Sequence, residues 1–313
     1  MQLGLQLLSV AQGESLNPGL ACGAFDAVMS EVGQVEILGL HSVWVPNFFG
    51  MDALTCVAVL AREYERVEFG TSIVPIYTRH PFAMAQQALT VQAAAHGRFT
   101  LGLGLSHRRI VEQGWGLLYD RPATAMRRYL GDLKRYLPCN TEESASAGIK
   151  PYVPGVAHLP VMIAALGPVM TDMAGAHADG AILSCVGSKH IATAVVPRLS
   201  AAARRANREA PRVVSLLPVV VTADEQAART LIAEIFEPIE QLPAYCNSLE
   251  AQGVSHVADI ALVGTRQQVI AGLWQLAEAG VTDLAAMVIG IDAERMNTLT
   301  LLAEVADELA LLG

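Results

Sequence analysis

Charge is scarce in this chain. Asp, Glu, Lys and Arg make up 16% of its 313 residues, and lysine occurs only at 134, 150 and 189. The first lies in an expected helix, the second in an irregular segment and the third near a helix start. No lysine falls where a strand ends, which disfavours Schiff-base chemistry. Basic residues are outnumbered, for a net charge of −9, so the phosphate neutralisation that nucleic acid demands has no basic face to supply it. The five cysteines (22, 56, 139, 185 and 246) are odd in number, scattered and never paired as CxxC. A disulfide framework and a zinc site are both excluded on that spacing, and a reducing compartment is expected. The eight histidines show no HExxH or HxH spacing, which disfavours a metal hydrolase. No uncharged apolar run reaches the roughly 18 residues of a membrane span. The opening "MQLGLQLLSVAQG" lacks a basic n-region and alternates like a strand rather than a signal peptide. A cytoplasmic protein with neither membrane nor nucleic-acid partners is expected.

What is abundant is apolar. Hydrophobic residues make up 52% of the chain and the mean hydropathy is +0.38. At this length a chain buries roughly 75% of its unfolded surface, enough for one large core. The order of patterns is more telling. Strands are expected at 2–8, 41–46, 67–75, 98–104, 160–166, 180–185, 212–222 and 282–290. Helices are expected at 23–39, 52–63, 81–95, 123–137, 168–177, 188–208, 224–241, 266–279 and 294–311. Strands rich in Val, Ile and Leu, alternating with helices, indicate a parallel sheet buried on both faces. About eight such units in one chain point to an α/β fold, a (β/α)8 TIM barrel, with an open doubly wound sheet as the alternative. Residues 1–313 read as one domain. The polar, Gly- and Pro-containing segment at about 138–159 reads as an insertion or lid loop.

In such a barrel the chemistry sits at the C-terminal ends of the strands. Those ends offer Asn47 and Phe48, then Thr71, Ser72 and Ile73, then Gly102 to His107, then Ala165, Leu166, Gly167 and Pro168, and finally Ser184 and Cys185. There are no paired carboxylates and no clustered metal ligands among them. A small, apolar, backbone-rich lining suits a flat cofactor that carries the chemistry itself. The stretch "GRFTLGLGLSHRRI" at 97–110 strips a strand end at Gly102 and Gly104 and then presents Ser106 and His107. The glycines either admit a flat ligand to the backbone or relieve crowding in the barrel. They are not a dinucleotide fingerprint, because the third glycine is absent and the strand is the fourth of the pattern. Trp44, Phe48, Phe49 and Trp115 are candidates for an apolar substrate wall, with core packing as the alternative. Arg79-His80-Pro81 either lines the mouth or caps a helix.

The segments "LGLHSVWVP", "FGTSIVPIYTRHPFAMAQQALT", "GRFTLGLGLSH" and "PVMIAALGPVMTDMAGAHADGAI" occur in one order. Together they resemble the bacterial luciferase-like oxidoreductases, most closely the branch that uses the deazaflavin coenzyme F420. The likeness spans nearly the whole chain and is weakest at 138–159 and around 240–256. It implies a (β/α)8 barrel with insertions and a flavin or deazaflavin across the C-terminal mouth, with F420 expected and FMN as the alternative. It implies a non-prolyl cis peptide at Ser72-Ile73, within Gly70-Thr71-Ser72-Ile73, behind the ring. It places the backbone of Gly102, Gly104 and Ser106 near the ring and His107 on the substrate side. It places the cofactor's phosphate near Ala165, Leu166, Gly167, Pro168 and Met170, where a Gly-Pro helix start exposes unpaired N–H groups.

His107 is accordingly expected to be a general acid or substrate anchor, or else a hydrogen-bonded loop residue. Arg108 and Arg109 either meet the coenzyme's acidic tail or face water. Alcohol-oxidising relatives carry Asp-His where this chain has Asn47-Phe48. Asn47 can hydrogen-bond but cannot serve as a base, so reduction of a small organic substrate fits better than alcohol oxidation. The competing readings are an FMN-dependent luciferase-like monooxygenase and a non-catalytic cofactor-binding protein. The resemblance also makes a homodimer an expectation.

Overall fold

Parallel strands rich in β-branched residues close into a ring in the computed structural model, which describes residues 1–11, 24–138, 149–290 and 292–311. The strands are β1 (Gln2–Gln6), β2 (Ser42–Val45), β3 (Glu68–Thr71), β4 (Val74–Pro75), β5 (Phe99–Gly104), β6 (Val161–Ala164), β7 (Gly180–Ser184), β8 (Arg212–Val221), β9 (Leu262–Gly264) and β10 (Asp283–Val288). Their neighbour order is β10-β1-β2-β3-β5-β6-β7-β8, and β8 pairs back to β10. β4 carries β3 onward against β5, and β9 lies beside the end of β8. The closed wall is therefore a parallel TIM barrel, as the alternating pattern predicts.

Alternation along each strand sorts side chains into two layers. In β10, Ala285 and Met287 join Trp44, Met162, Ile182, Val214 and Leu216 inside the ring. Leu284, Ala286 and Val288 pack outward against the helices. At the N-terminal end of the ring, Arg212 Nη2 donates to the buried Asp283 Oδ1 at 2.6 Å. The interior is thus filled below and open only above. No helix among the described residues is long and apolar enough to cross a membrane.

The helices start where local chemistry says they should. Asp52 Oδ1 accepts from the Thr55 N–H at 2.9 Å and caps Ala53–Glu63. Thr265 and Gln268 form a capping box for Arg266–Glu278. Proline occupies the first turn of Pro81–Ala94, Pro122–Tyr136, Pro168–His177 and Pro243–Gln252. His80 Nδ1 accepts from the Phe82 N–H at 3.1 Å, and Arg79 binds Gln87 and Asp52. That pair therefore serves the helix entry, and neither residue lines the cavity described below.

Several boundaries differ from expectation. The strand expected at 67–75 is interrupted at Ser72-Ile73, and the one expected at 2–8 ends at Gln6, with a short helix at Leu8–Ala11. The helix expected at 188–208 contains a five-residue π turn at Ile191–Val195 before Val196–Arg205. Helices Pro243–Gln252 and Val257–Ile260, and strand β9, fall in a span with no strong periodicity in the sequence. Within the expected insertion, 139–148 lies outside the described residues. The segment 149–159 has no regular element.

Burial also sets thiol reactivity. Burial pushes the thiols of Cys56 and Cys185 up to about 12, whereas Cys246 is exposed. Thiolate is the nucleophile. Alkylation of native protein near pH 8, read by peptide mapping, is expected to mark Cys246 and to spare Cys56 and Cys185 until the chain is unfolded.

Candidate active site

The C-terminal strand ends open into a cavity of about 600 Å³. Its floor comes from β1 and from the break after β3. Gln6, the last residue of β1, is 7% exposed and its Nε2 donates to Ser72 Oγ at 3.1 Å. The Ser72-Ile73 peptide bond is cis, as the resemblance implies. Both residues line the cavity.

At Gly102 and Gly104 the structure shows one of the two expected purposes, the relief of crowding in the barrel. Thr71 Oγ1 donates to the Gly102 carbonyl at 2.9 Å and accepts from the Gly102 N–H at 2.8 Å. A Cβ on Gly102 would fall on the Thr71 carbonyl oxygen and 2.6 Å from Ile182 Cδ1. One on Gly104 would lie 2.5 Å from Ile73 Cγ1. The bare strand end makes room for the break in the neighbouring strand. Neither glycine lines the cavity, and neither do Gly70, Thr71, Ala165 or Trp44. Trp44 is 1% exposed, packs where a Gly70 side chain would otherwise stand and donates from Nε1 to Ser42 Oγ at 3.1 Å. The wall expected of Trp44 is instead barrel core, because the inward positions of a small barrel must be filled.

Past β5 the chain turns sharply. Ser106 has φ +54°, a left-handed conformation uncommon outside glycine, and the turn brings Ser106 and His107 to the cavity wall. The His107 carbonyl accepts from Ile110 and Val111 N–H, both at 2.9 Å. That starts the π turn Ile110–Gly114, which places Ile110 and Trp115 on the same wall. Burial alone pushes the His107 imidazole below its usual pKa. The ring is therefore mainly neutral at physiological pH. Arg108 pairs with Glu112 at 2.6 Å and stacks on Tyr119. Neither Arg108 nor Arg109 lines the cavity.

The adjoining wall, after the neighbouring strand β6, is the start of Pro168–His177. Gly167 is its N-cap and provides no side-chain hydrogen bond, so early N–H groups of this helix stay available. Leu166, Gly167, Pro168, Met170 and Thr171 line the cavity here. Beside them, Arg198 donates from Nε to the Pro168 carbonyl at 3.0 Å and from Nη2 to Asp172 at 2.6 Å. At the mouth stand Asn47, Phe48 and Phe49, the two phenylalanines well exposed. Asn47 Oδ1 accepts from the Ala53 N–H at 3.0 Å, so its oxygen supports the helix entry while its amide NH₂ is available to a ligand.

Sequence reasoning missed the roof. Helix Pro243–Gln252 brings Ala244, Tyr245, Asn247 and Ala251 over the cavity. Gln252 fastens it, accepting from the Gly187 N–H at 2.8 Å and donating to the Cys185 carbonyl at 3.2 Å. Tyr245 donates to Ser184 Oγ at 3.0 Å, and its ring centroid lies 5.7 Å from that of His107. Burial drives the Tyr245 phenol up, so it acts as a neutral donor. Pro243 at a first helical position was the legible signal for this element. His190, Arg198 and Tyr119 also line the cavity without having been singled out, and among the described residues no carboxylate does so.

Taken together, the residues form an apolar chamber with a polar floor, a neutral imidazole after β5 and a helix start with an arginine after the neighbouring β6. Such a chamber can hold a flat ring with an anionic arm. The chain is 28% identical, over 92% of its length and 85% of the relative's, to a Mycobacterium tuberculosis protein provisionally named a coenzyme F420-dependent oxidoreductase. Its fold matches that of the coenzyme F420-dependent tetrahydromethanopterin reductase of Methanopyrus kandleri, with a TM-score of 0.73, 17% identity and 98% of each chain covered. It also matches the oxygenating constituent of 3,6-diketocamphane monooxygenase from Pseudomonas putida, a type II Baeyer-Villiger monooxygenase solved in complex with FMN. That match has a TM-score of 0.75, 16% identity and 99% and 98% of the two chains covered. The family model described as luciferase-like monooxygenase matches residues 1–283, and this chain belongs to that family of oxidoreductases.

Proposed function

We propose that this protein binds coenzyme F420 in the cavity and reduces an activated double bond or imine of a small organic substrate. The observation that carries the reading is a chamber of about 600 Å³ whose lining, among the described residues, holds no carboxylate, and whose half-buried His107 imidazole is pushed toward its neutral form by burial. Such a lining can shape and polarise a substrate but offers no strong base of its own. When bound, the deazaflavin supplies a hydride. Ser72 and Ile73 would back its ring, and the N–H groups at the start of Pro168–His177, with Arg198, would face its phosphate. His107, as a neutral ring, can donate one hydrogen bond to the acceptor atom of the substrate, with Tyr245 close beside it. Asn47 and Phe48 at the mouth provide no group able to remove a proton from an alcohol.

The FMN-dependent monooxygenase reading is favoured by one observation, the fold shared with an FMN-bound oxygenase. Anaerobic stopped-flow mixing of the protein with reduced F420 and a panel of enones and imines separates the two. The proposal predicts acceptor-dependent reoxidation of F420 without oxygen. Oxygen consumption that requires reduced FMN and substrate, with no F420 reoxidation by any acceptor, would contradict it.

A further inference from the structure

Gln6 carries a polar atom with nothing to bind. The residue is 7% exposed, and its Nε2 donates to Ser72 Oγ at 3.1 Å. Its Oε1 is buried and has no hydrogen-bond partner. Buried acceptors are nearly always paired, so an orphan at a functional cavity calls for a ligand. With Nε2 on Ser72 Oγ, the atom of the amide left unpaired is the acceptor Oε1. Gln6 lines the chamber beside Ile73, on the same floor as the cis bond.

We infer that Gln6 Oε1 accepts a hydrogen bond from a ring N–H of the bound cofactor, which makes Gln6 a recognition residue for a pyrimidinedione edge. This inference rests on the reading of the cavity as a deazaflavin or flavin site. The oxidised tricyclic rings of both cofactors carry an N–H donor on that edge, at N3, and the remaining polar positions of the edge are acceptors. A lone buried acceptor in contact with the ring therefore meets N3–H. Replacement of Gln6 by an apolar residue of similar size would leave that donor buried and unpaired, which costs far more than the hydrogen bond contributes.

The experiment is a binding cycle read by fluorescence, with no turnover involved. Wild type and Gln6→Leu are each titrated with oxidised F420 and with its N3-methyl derivative. In wild type, methylation should weaken binding by roughly tenfold or more, and Gln6→Leu should weaken binding of unmethylated F420 by a similar factor. In Gln6→Leu, methylation should have little further effect, the non-additivity of two groups that touch. Independent, additive losses overturn the inference, as does an unchanged affinity of Gln6→Leu for F420. If Gln6→Leu fails to fold, the wild-type comparison still decides: equal affinity for the two forms overturns the assignment. Failure of the wild type to bind F420 or FMN would instead overturn the cofactor reading and this inference with it.

Discussion

Gly102→Ala is expected to destabilise the protein by about 3 kcal/mol, the upper end of what overpacking a core costs. The added methyl would fall on the Thr71 carbonyl oxygen, a backbone atom, and 2.6 Å from Ile182 Cδ1. A side chain can rotate away, but a carbonyl held in a barrel ladder cannot. The Thr71–Gly102 exchange of two hydrogen bonds would be forced apart at the same time. For a chain of this size each kcal/mol moves the melting temperature by roughly 2–4 °C. Calorimetry should therefore show a fall on the order of 5–10 °C, or no folded protein at all. Gly131→Ala is the matching control. Gly131 lies within helix Pro122–Tyr136 and an added Cβ there meets nothing within 4 Å. That substitution should raise stability by up to about 1 kcal/mol through helix propensity. Equal melting temperatures for the two variants would show that β3 and β5 do not approach as described.

His107→Asn is expected to lower turnover roughly a hundredfold, the low end for losing a positioned acid–base or hydrogen-bonding group. F420 affinity should stay within a few-fold, because the residue stands beneath Tyr245 on the loop after β5, whereas the expected phosphate site is the helix start after β6. The pH dependence carries the sign. Burial lowers the His107 pKa from its usual 6.5, so the neutral ring is present at pH 7 and above. Activity that needs it should be flat there and fall only as pH drops below the usual histidine range. A histidine acting as imidazolium would give the reverse, with activity rising on acidification. Turnover by His107→Asn equal to wild type would remove the residue from the chemistry.

These two residues also show what the sequence could and could not convey. The barrel was legible because both-faces-buried strands and amphipathic helices differ in period, and the pattern repeats through the chain. The Ser72-Ile73 cis bond came from resemblance, since it leaves no periodic trace, whereas the helix start at Gly167-Pro168 was legible in the glycine and proline themselves. Gly102 and Gly104 illustrate the ambiguity of glycine: absence of a side chain is visible, but the neighbour that needs the space is about thirty or eighty positions away in another strand or across a bulge. Trp44 shows the same problem for aromatics. Its place in β2 was clear, yet whether the ring points into the ring's filled interior or onto its open rim depends on register. Gln6 escaped notice because an isolated glutamine in a strand has no signature until its partner is missing. The roof helix Pro243–Gln252 was obscured by a sequence without a strong apolar stripe, and its attachment through Gln252 is a long-range hydrogen-bond pattern that no local window contains.

The central claim, that the chamber at the upper rim is a deazaflavin site, is tested most directly by equilibrium titration of the purified protein with oxidised F420 and, separately, with FMN. The account predicts saturable, one-to-one binding of F420, with its fluorescence altered, and weaker binding of FMN. Saturation by FMN while F420 leaves the signal unchanged would contradict it.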